Sequence, residues 1–549
     1  MTRAIITGGE ADVEARNSWW PMVVIGLGQA LISFNFGALL VSISGIVASF
    51  DTSPTTVGTA IVIYSLAAAA FIMLGARFGQ IFGSAQMFRA SIALFAAAMA
   101  IMAISPNAAT LVAAQGLTGF AAAALVPTLV VLIADNYQGR QQAQAIGLLG
   151  GVAAMATMLA FFFAGGLAAW ISWRYAFVLL IPISLLTLVL SRRLKPVQTV
   201  RGVRIDILGA ALSAAAIILI SLGCDNLGKW GLLNAKPAAP FELFGLSPAL
   251  IMIVIGIVLG QSFMAWSHRR VTTHKMPLLA LTVIESPQEK SALFSMLGIT
   301  ALGSAVSFLT PLYIEIVQGR SSLLTALALM PHQAAISASA IFIVRLYDRL
   351  TPRQIARSAF VLVAIGVAML AIVIRNEWSN VLVIICLILI GLGTGALATL
   401  LFNVQVTAAP KALAGDVGAL RGVAGNLAAG VGTALVAALT VSILSANIQR
   451  AVADNPLIPH ELIEQVDLDS PNFVSNERLV NAMARMTATP EQVAEAVRIN
   501  VEARLRALKI CLFLLAAGAL LMIYPVRRLP GYISSASPNT QPNARDQQV

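Results

Sequence analysis

Apolar runs of about twenty residues recur along the whole chain, broken by short polar stretches. At 1.5 Å per residue, each run can cross a ~30 Å hydrocarbon layer as one helix. The runs begin near Trp20, Thr56, Phe88, Ala109, Ala143, Arg174, Asp206, Ser247, Ser291, Leu323, Ile355, Val381, Val417 and Ala507. They predict fourteen membrane spans, numbered below in chain order, and an all-α polytopic membrane fold. A twelve-span chain with two helices buried in a soluble part is the alternative. One polar stretch, 447–506, is far longer than the other loops.

Composition points to the bilayer as solvent. Of 549 residues, 58% are hydrophobic and 11% are charged, against about 25% charged in soluble domains. A net charge of +11 would suggest nucleic acid in a soluble protein. Here the loops explain it, and no nucleic-acid partner is predicted. With a cytoplasmic N-terminus, the even-numbered loops and the C-terminal flank carry about nineteen lysines and arginines. The short odd-numbered loops carry Arg174, Lys229, Lys236, Arg320 and Arg375. This is the positive-inside bias. It predicts a multi-pass protein of the cell inner (plasma) membrane with both termini cytoplasmic. The first twenty residues, MTRAIITGGEADVEARNSWW, lack a short apolar signal core, so the first run is expected to stay as span 1. Cys224, Cys386 and Cys511 lie far apart in or beside apolar runs, which argues against a disulfide framework or a zinc site. No cofactor or metal is predicted.

The 447–506 insert holds nine acidic residues and six arginines, so it is expected to be solvated on the outer face. Thr489-Pro490-Glu491-Gln492 has the form of a capping box with proline at the first helical position. Val493, Val497, Val501 and Leu505 follow at four-residue spacing. One helix should therefore start near Pro490 and run directly into span 14. It reads as an amphipathic cap on the outer face, or as a lid that handles substrate.

Four stretches carry a family resemblance. RLYDRLTPR (345–353) follows span 10, WRYAF (173–177) with Ile181-Pro182 follows span 5, PLYIEIVQG (311–319) ends span 9, and NLAAGVGTAL (426–435) lies in span 13. In this order and spacing they resemble the fourteen-span drug:proton antiporter branch of the major facilitator superfamily. The resemblance covers about 18–446 plus the last span. It implies a cytoplasmic tail (1–17), a six-helix bundle (18–195), two extra spans with linkers (196–285), a second six-helix bundle (286–526, including the 447–506 insert) and a cytoplasmic tail (527–549). It further implies a central cavity near mid-membrane, spans 7 and 8 between the bundles, and Asp348, Arg349 and Arg353 as a cytoplasmic ion-pair gate. Plain positive-inside topology also accounts for part of that arginine count.

The chain departs from the family pattern where charge would matter. Span 1 of the family carries a Leu-Asp pair; this chain has Phe34-Asn35. The basic, acidic loop after span 2 aligns with Ala76, Gln80, Ala85 and Gln86. An arginine of span 4 aligns with Gln115, and the Gly-Pro of span 5 with Phe161-Phe162. Burial can raise a carboxylate's pKa until it carries a proton at neutral pH. An amide cannot do so. Between Ala30 and Pro182 the only acids are Asp51, at an outer loop, and Asp135, near an inner helix end. Asn35 then either bonds a neighbouring helix or offers a polar contact to a cavity.

The remaining polar residues in the spans are sparse. Arg421 in span 13 either snorkels or pairs with Asp416 or Asp348, or is a cation for an anionic substrate. Glu315 is either a hydrated rim residue or a protonatable site. His332, next to Gln333, suits a helix–helix hydrogen bond better than a metal, since no partner lies at metal spacing. Gln29, Tyr64, Tyr313, Asn403, Gln405 and Asn426 complete the set of cavity candidates. So few charges suit a small hydrophobic or amphipathic substrate. GLGTGALA (391–398) lies inside span 12 without a preceding strand, so its glycines suit close helix approach rather than a nucleotide. The expected function is a secondary membrane transporter of the major facilitator type that exports a small hydrophobic or amphipathic compound by alternating access, with proton coupling in doubt. The alternative is a non-transporting or lipid-handling protein of the same fold, acting as sensor or assembly partner; no nucleophile–base pair suggests an enzyme. No periplasmic or membrane protein partner can be named from the sequence.

Overall fold

The computed structural model describes residues 18–52, 54–195, 205–231, 233–376, 381–453, 455, 476–483 and 489–531. The predicted N-terminal tail, the start of the 196–285 linker, the middle of the external insert and most of the C-terminal tail lie outside the described residues. The fourteen spans are Trp20–Phe50, Pro54–Phe82, Ser84–Ala103, Ala108–Asn136, Gly139–Trp170, Arg174–Ser191, Ile207–Trp230, Pro248–Thr272, Pro287–Leu312, Ser322–Phe342, Pro352–Val373, Val381–Ala408, Ala414–Ala453 and Pro490–Leu521. The described residues hold no β-strand, apart from isolated bridges in the loop between spans 7 and 8.

Local chemistry accounts for many of the helix ends. Asn107 caps span 4 by accepting from Thr110 N at 2.9 Å. Ser286 with Glu289, and Thr351 with Gln354, form capping boxes with proline next in the chain. The turn after span 10 is a short 3₁₀ helix, Ile343–Asp348, that stops before the Thr351 cap. Span 5 runs unbroken for 32 residues through Phe161 and Phe162, where proline would have removed a backbone hydrogen bond.

Lipid offers no hydrophobic drive between helices, so close contact is made with small residues. A Cβ at Gly75 of span 2 would lie 2.7 Å from Ala124 Cα of span 4. Spans 7 and 8 use glycine reciprocally: added Cβ atoms at Gly223 and Gly256 would each come within 2.7 Å of an isoleucine on the partner helix. The Gly391 and Gly393 backbone likewise lets spans 10 and 11 approach span 12.

Two main cores result. One is built mainly from spans 1–6 around Phe88, Phe95, Trp173 and Phe177, joined by Phe402, Val406 and Val417 from the second bundle. The other is built from spans 9–14 around Phe360, Leu397 and Leu400. Span 7 packs on spans 2 and 13, and span 8 packs on span 7. The two extra spans therefore lie along the seam between the bundles. Trp173 and Arg174 tie three helices of the first bundle at one end: Trp173 Nε1 donates to Ser49 Oγ at 2.9 Å, and Arg174 donates to Ser105 O at 2.9 Å.

The insert continues the spans as helix. Span 13 has 40 residues and span 14 has 32, or about 60 and 48 Å. Both outrun a ~30 Å hydrocarbon layer. The Thr489 capping box forms, with Gln492 N donating to Thr489 Oγ1 at 3.3 Å, and its helix passes into span 14 without a break. The two extensions are joined by Leu444, Ala503 and Ala507, and Asn455 donates to Glu495 at 2.6 Å. Arg504, fully buried, reaches Ile316 O at the end of span 9 and Asn476 of the short helix Asn476–Met483.

Candidate functional site

The two bundles meet at the end that bears the 2–3, 4–5, 10–11 and 12–13 turns, the arginine-rich end. There span 13 lies on spans 2 and 4, and span 5 lies on span 10. Gly415, Gly418, Gly422 and Gly425 follow one face of span 13. A Cβ at Gly415 would meet Val131 at 3.3 Å, one at Gly418 would meet Val130 at 2.8 Å, and one at Gly422 would run into Ile72. At Gly425 it would meet nothing within 4 Å. The close contacts of this glycine face end at Gly422, and Gly425 faces open space. On the other side, Gly151 O accepts from Ser337 Oγ at 2.8 Å, and Asn403 Nδ2 donates to Ala143 O at 3.4 Å.

Two ion pairs cross this closed end. Arg77 of span 2 lies 3.1 Å from Asp416 of span 13, with side chains 7% and 1% exposed. Arg77 also donates to Pro277 O at 2.9 Å and Leu278 O at 2.8 Å, in the segment that follows span 8. Arg140 at the start of span 5 lies 2.8 Å from Asp348 after span 10, and this pair is 58% and 43% exposed. A small cavity beside the buried pair is lined by Gln80, Ser84, Thr128, Asp135 and Lys411.

Asn35 and Gln115 are both fully buried and exchange two hydrogen bonds, each 3.2 Å, between spans 1 and 4. Gln29 donates to Ser33 Oγ at 3.0 Å within its own helix. Tyr64 is buried, with its ring 6.4 Å from Phe36. Phe161 is buried whereas Phe162, one residue on, is exposed, so the two rings point apart.

In the second bundle, Tyr313 OH donates to Arg375 O at 2.8 Å and so fastens a helix end. Glu315 is exposed in the single wide turn Tyr313–Val317. His332 Nδ1 lies 2.8 Å from Leu387 O, joining spans 10 and 12, and Gln333 is half-buried beside it. Asn403 also donates to Tyr347 OH at 3.2 Å. Gln405 is buried, and neither of its amide atoms has a hydrogen-bond partner among the described residues. Asn426 donates back to Gly422 O at 2.8 Å. The Arg421 guanidinium stacks over Phe402 at 4.1 Å, while Asp416 and Asp348 are taken by Arg77 and Arg140. Of the gate set, Asp348 reaches the other bundle, Arg349 is exposed, and Arg353 donates to Leu529 O at 3.0 Å. Among the described residues no group of three or more metal-ligating side chains gathers.

Arg77, Arg140, Ser337 and Tyr347 were not singled out from the sequence as site residues. Arg77 and Arg140 counted only as inner-loop charges. A signal was present: Asp416 is an acid at the positive end of a span, where the loop bias favours cations.

The comparisons with known proteins agree with this architecture. The Major Facilitator Superfamily family model matches residues 25–433. The chain is 26% identical to the puromycin resistance protein pur8 of Streptomyces alboniger, over 81% of this chain and 86% of that one. It is 24% identical to the multidrug resistance protein Stp of Mycobacterium tuberculosis, over 82% and 81%. Among solved structures, the human organic anion transporter MFSD10 superposes with a TM-score of 0.55 at 12% identity, covering 92% of this chain and 99% of that one. At that identity the likeness shows the fold alone. Two bundles joined along one closed seam, fourteen spans and a family model matching most of the chain give one conclusion: this chain belongs to the Major Facilitator Superfamily and is a multi-pass membrane transporter.

Proposed function

We propose that the chain exports small hydrophobic or amphipathic compounds by alternating access, with no proton carrier in its first bundle. The carrying observation is the seam at the arginine-rich end, latched by Arg77–Asp416 and Arg140–Asp348, whose close glycine contacts stop at Gly422. With the arginine-rich end in the cytoplasm, as the loop charges predict, this arrangement is the outward-facing state. Rocking the bundles to face inward breaks both latches. The resistance names of the two relatives support export.

Energy coupling follows from the first bundle's chemistry. Its buried polar pair is Asn35–Gln115, two amides that can neither gain nor release a proton near neutral pH. Transport therefore follows the substrate's own gradient, or is coupled through the second bundle. The test is efflux of a panel of hydrophobic dyes from proteoliposomes containing the purified full chain. Dye loss faster than from protein-free vesicles is expected. Equal rates for every dye, with monodisperse folded protein, would contradict the transporter reading.

A further inference from the structure

We propose that Arg421 is the anchor for a negatively charged group on the transported molecule, so that the substrate class is an amphipathic organic anion. The inference rests on the transporter reading above and makes its substrate specific.

The chain supplies oxygen partners to the buried arginines among its described residues, Arg421 itself being half-buried. Arg77 has Asp416 and two carbonyls, and Arg504 has Ile316 O and Asn476. Arg421 is different. Among the described residues it makes no ion pair and no hydrogen bond, and its contact is the face of Phe402. Stacking occupies the flat face of a guanidinium and leaves the N–H groups at its edge free. Those edge donors form a planar fork that fits a carboxylate or sulfonate through two parallel hydrogen bonds.

A second, independent feature lies on the neighbouring helix. Gln405 is one turn from Phe402 on the same side of span 12. It is 95% buried in effect, being 5% exposed, and both its amide oxygen and nitrogen lack a partner. Asn403 Oδ1 also lacks one. A buried amide without a partner is costly. An anion on Arg421 would give the Gln405 amide nitrogen an acceptor.

Position favours a substrate role over a latch. Arg421 is five residues from Asp416, or about 7.5 Å farther along span 13 from the arginine-rich end. It sits between Gly418, packed on Val130, and Gly425, which faces open space. The cation thus stands where the close glycine contacts of the seam end. The apolar surroundings, Phe402 included, accept the body of an amphipathic molecule.

The test uses the full chain and two dyes, fluorescein as the anion and ethidium as the cation. Binding is measured by fluorescence anisotropy in detergent, and transport by efflux from proteoliposomes. Wild type is expected to bind fluorescein. Arg421→Gln should weaken that binding by about tenfold or more, as loss of a charge-assisted bond does. Arg421→Lys, which keeps the charge but loses the fork, should bind more weakly than wild type and more tightly than Arg421→Gln. Gln405→Leu, which leaves the cation in place, should weaken fluorescein binding by about threefold or more. None of these changes should weaken ethidium binding. Fluorescein affinity unchanged in Arg421→Gln, or equal loss for both dyes, would overturn the anion site. Arg421-dependent binding without any dye efflux would leave the site standing and overturn the transporter reading. Dye efflux without Arg421-dependent anion binding would do the reverse.

Discussion

At the scale of single residues, the chain carries one neutral pair where the family resemblance implies two charges. The family resemblance aligns an aspartate with Asn35 and an arginine with Gln115. These two departures turn out to be a single feature, because the two amides bond each other across 80 residues of chain. Hydrogen bonds between membrane helices average about 0.6 kcal/mol and reach about 1.7. A double-mutant cycle on Asn35→Ala and Gln115→Ala, read by unfolding in detergent, should give a coupling energy of about 1 kcal/mol. A coupling near zero would mean the pair is not formed. Glu315 is exposed at the rim. Glu315→Gln should leave dye efflux unchanged, with or without a pH gradient. Loss of gradient-driven efflux in that variant would place the proton site there. The types of these polar residues were legible from spacing and from departures in the motifs. Their pairing was not, because Asn35 and Gln115 carry no common period along the chain.

At the scale of helices, burial decides which latch matters. Arg140–Asp348 is largely exposed, and pairs of that kind contribute about 0–1 kcal/mol. Arg77–Asp416 is buried, and removing one partner of such a pair costs about 3–5 kcal/mol. Arg77 keeps its bonds to Pro277 and Leu278, so the lower figure applies to Asp416→Asn. About 3 kcal/mol is more than a hundredfold in a two-state population. Asp416→Asn should therefore expose the arginine-rich seam to a thiol reagent at Val130→Cys, a buried position facing Gly418. Asp348→Asn should change labelling there by less than about fivefold. Equal effects of the two changes would contradict the ranking. The helix from Pro490 into span 14 was legible because its cap is local in sequence: Thr489→Ala should cost about 1 kcal/mol and speed amide exchange at the first turn. The latch was not legible because its partners, on spans 2 and 13, meet only once the bundles fold.

At the scale of the molecule, fourteen spans were legible because lipid demands long uninterrupted apolar helices, and the sequence has them in order. Loop charge gives an expected orientation, and the seam then gives a state. What a hydropathy pattern cannot carry is which faces of the two bundles touch, since every face of a buried span is apolar. Alternation rests on the bundles moving as bodies about the site between them. Its most direct test is a pair of spin-label distances measured in the same protein by electron–electron resonance. One pair, Gln138 and Arg349, spans the arginine-rich end, and the other, Ile104 and Arg320, spans the opposite end; all four positions are exposed. Alternation predicts that Asp416→Asn lengthens the first distance and shortens the second. Two unchanged distances, or two that lengthen together, would contradict it.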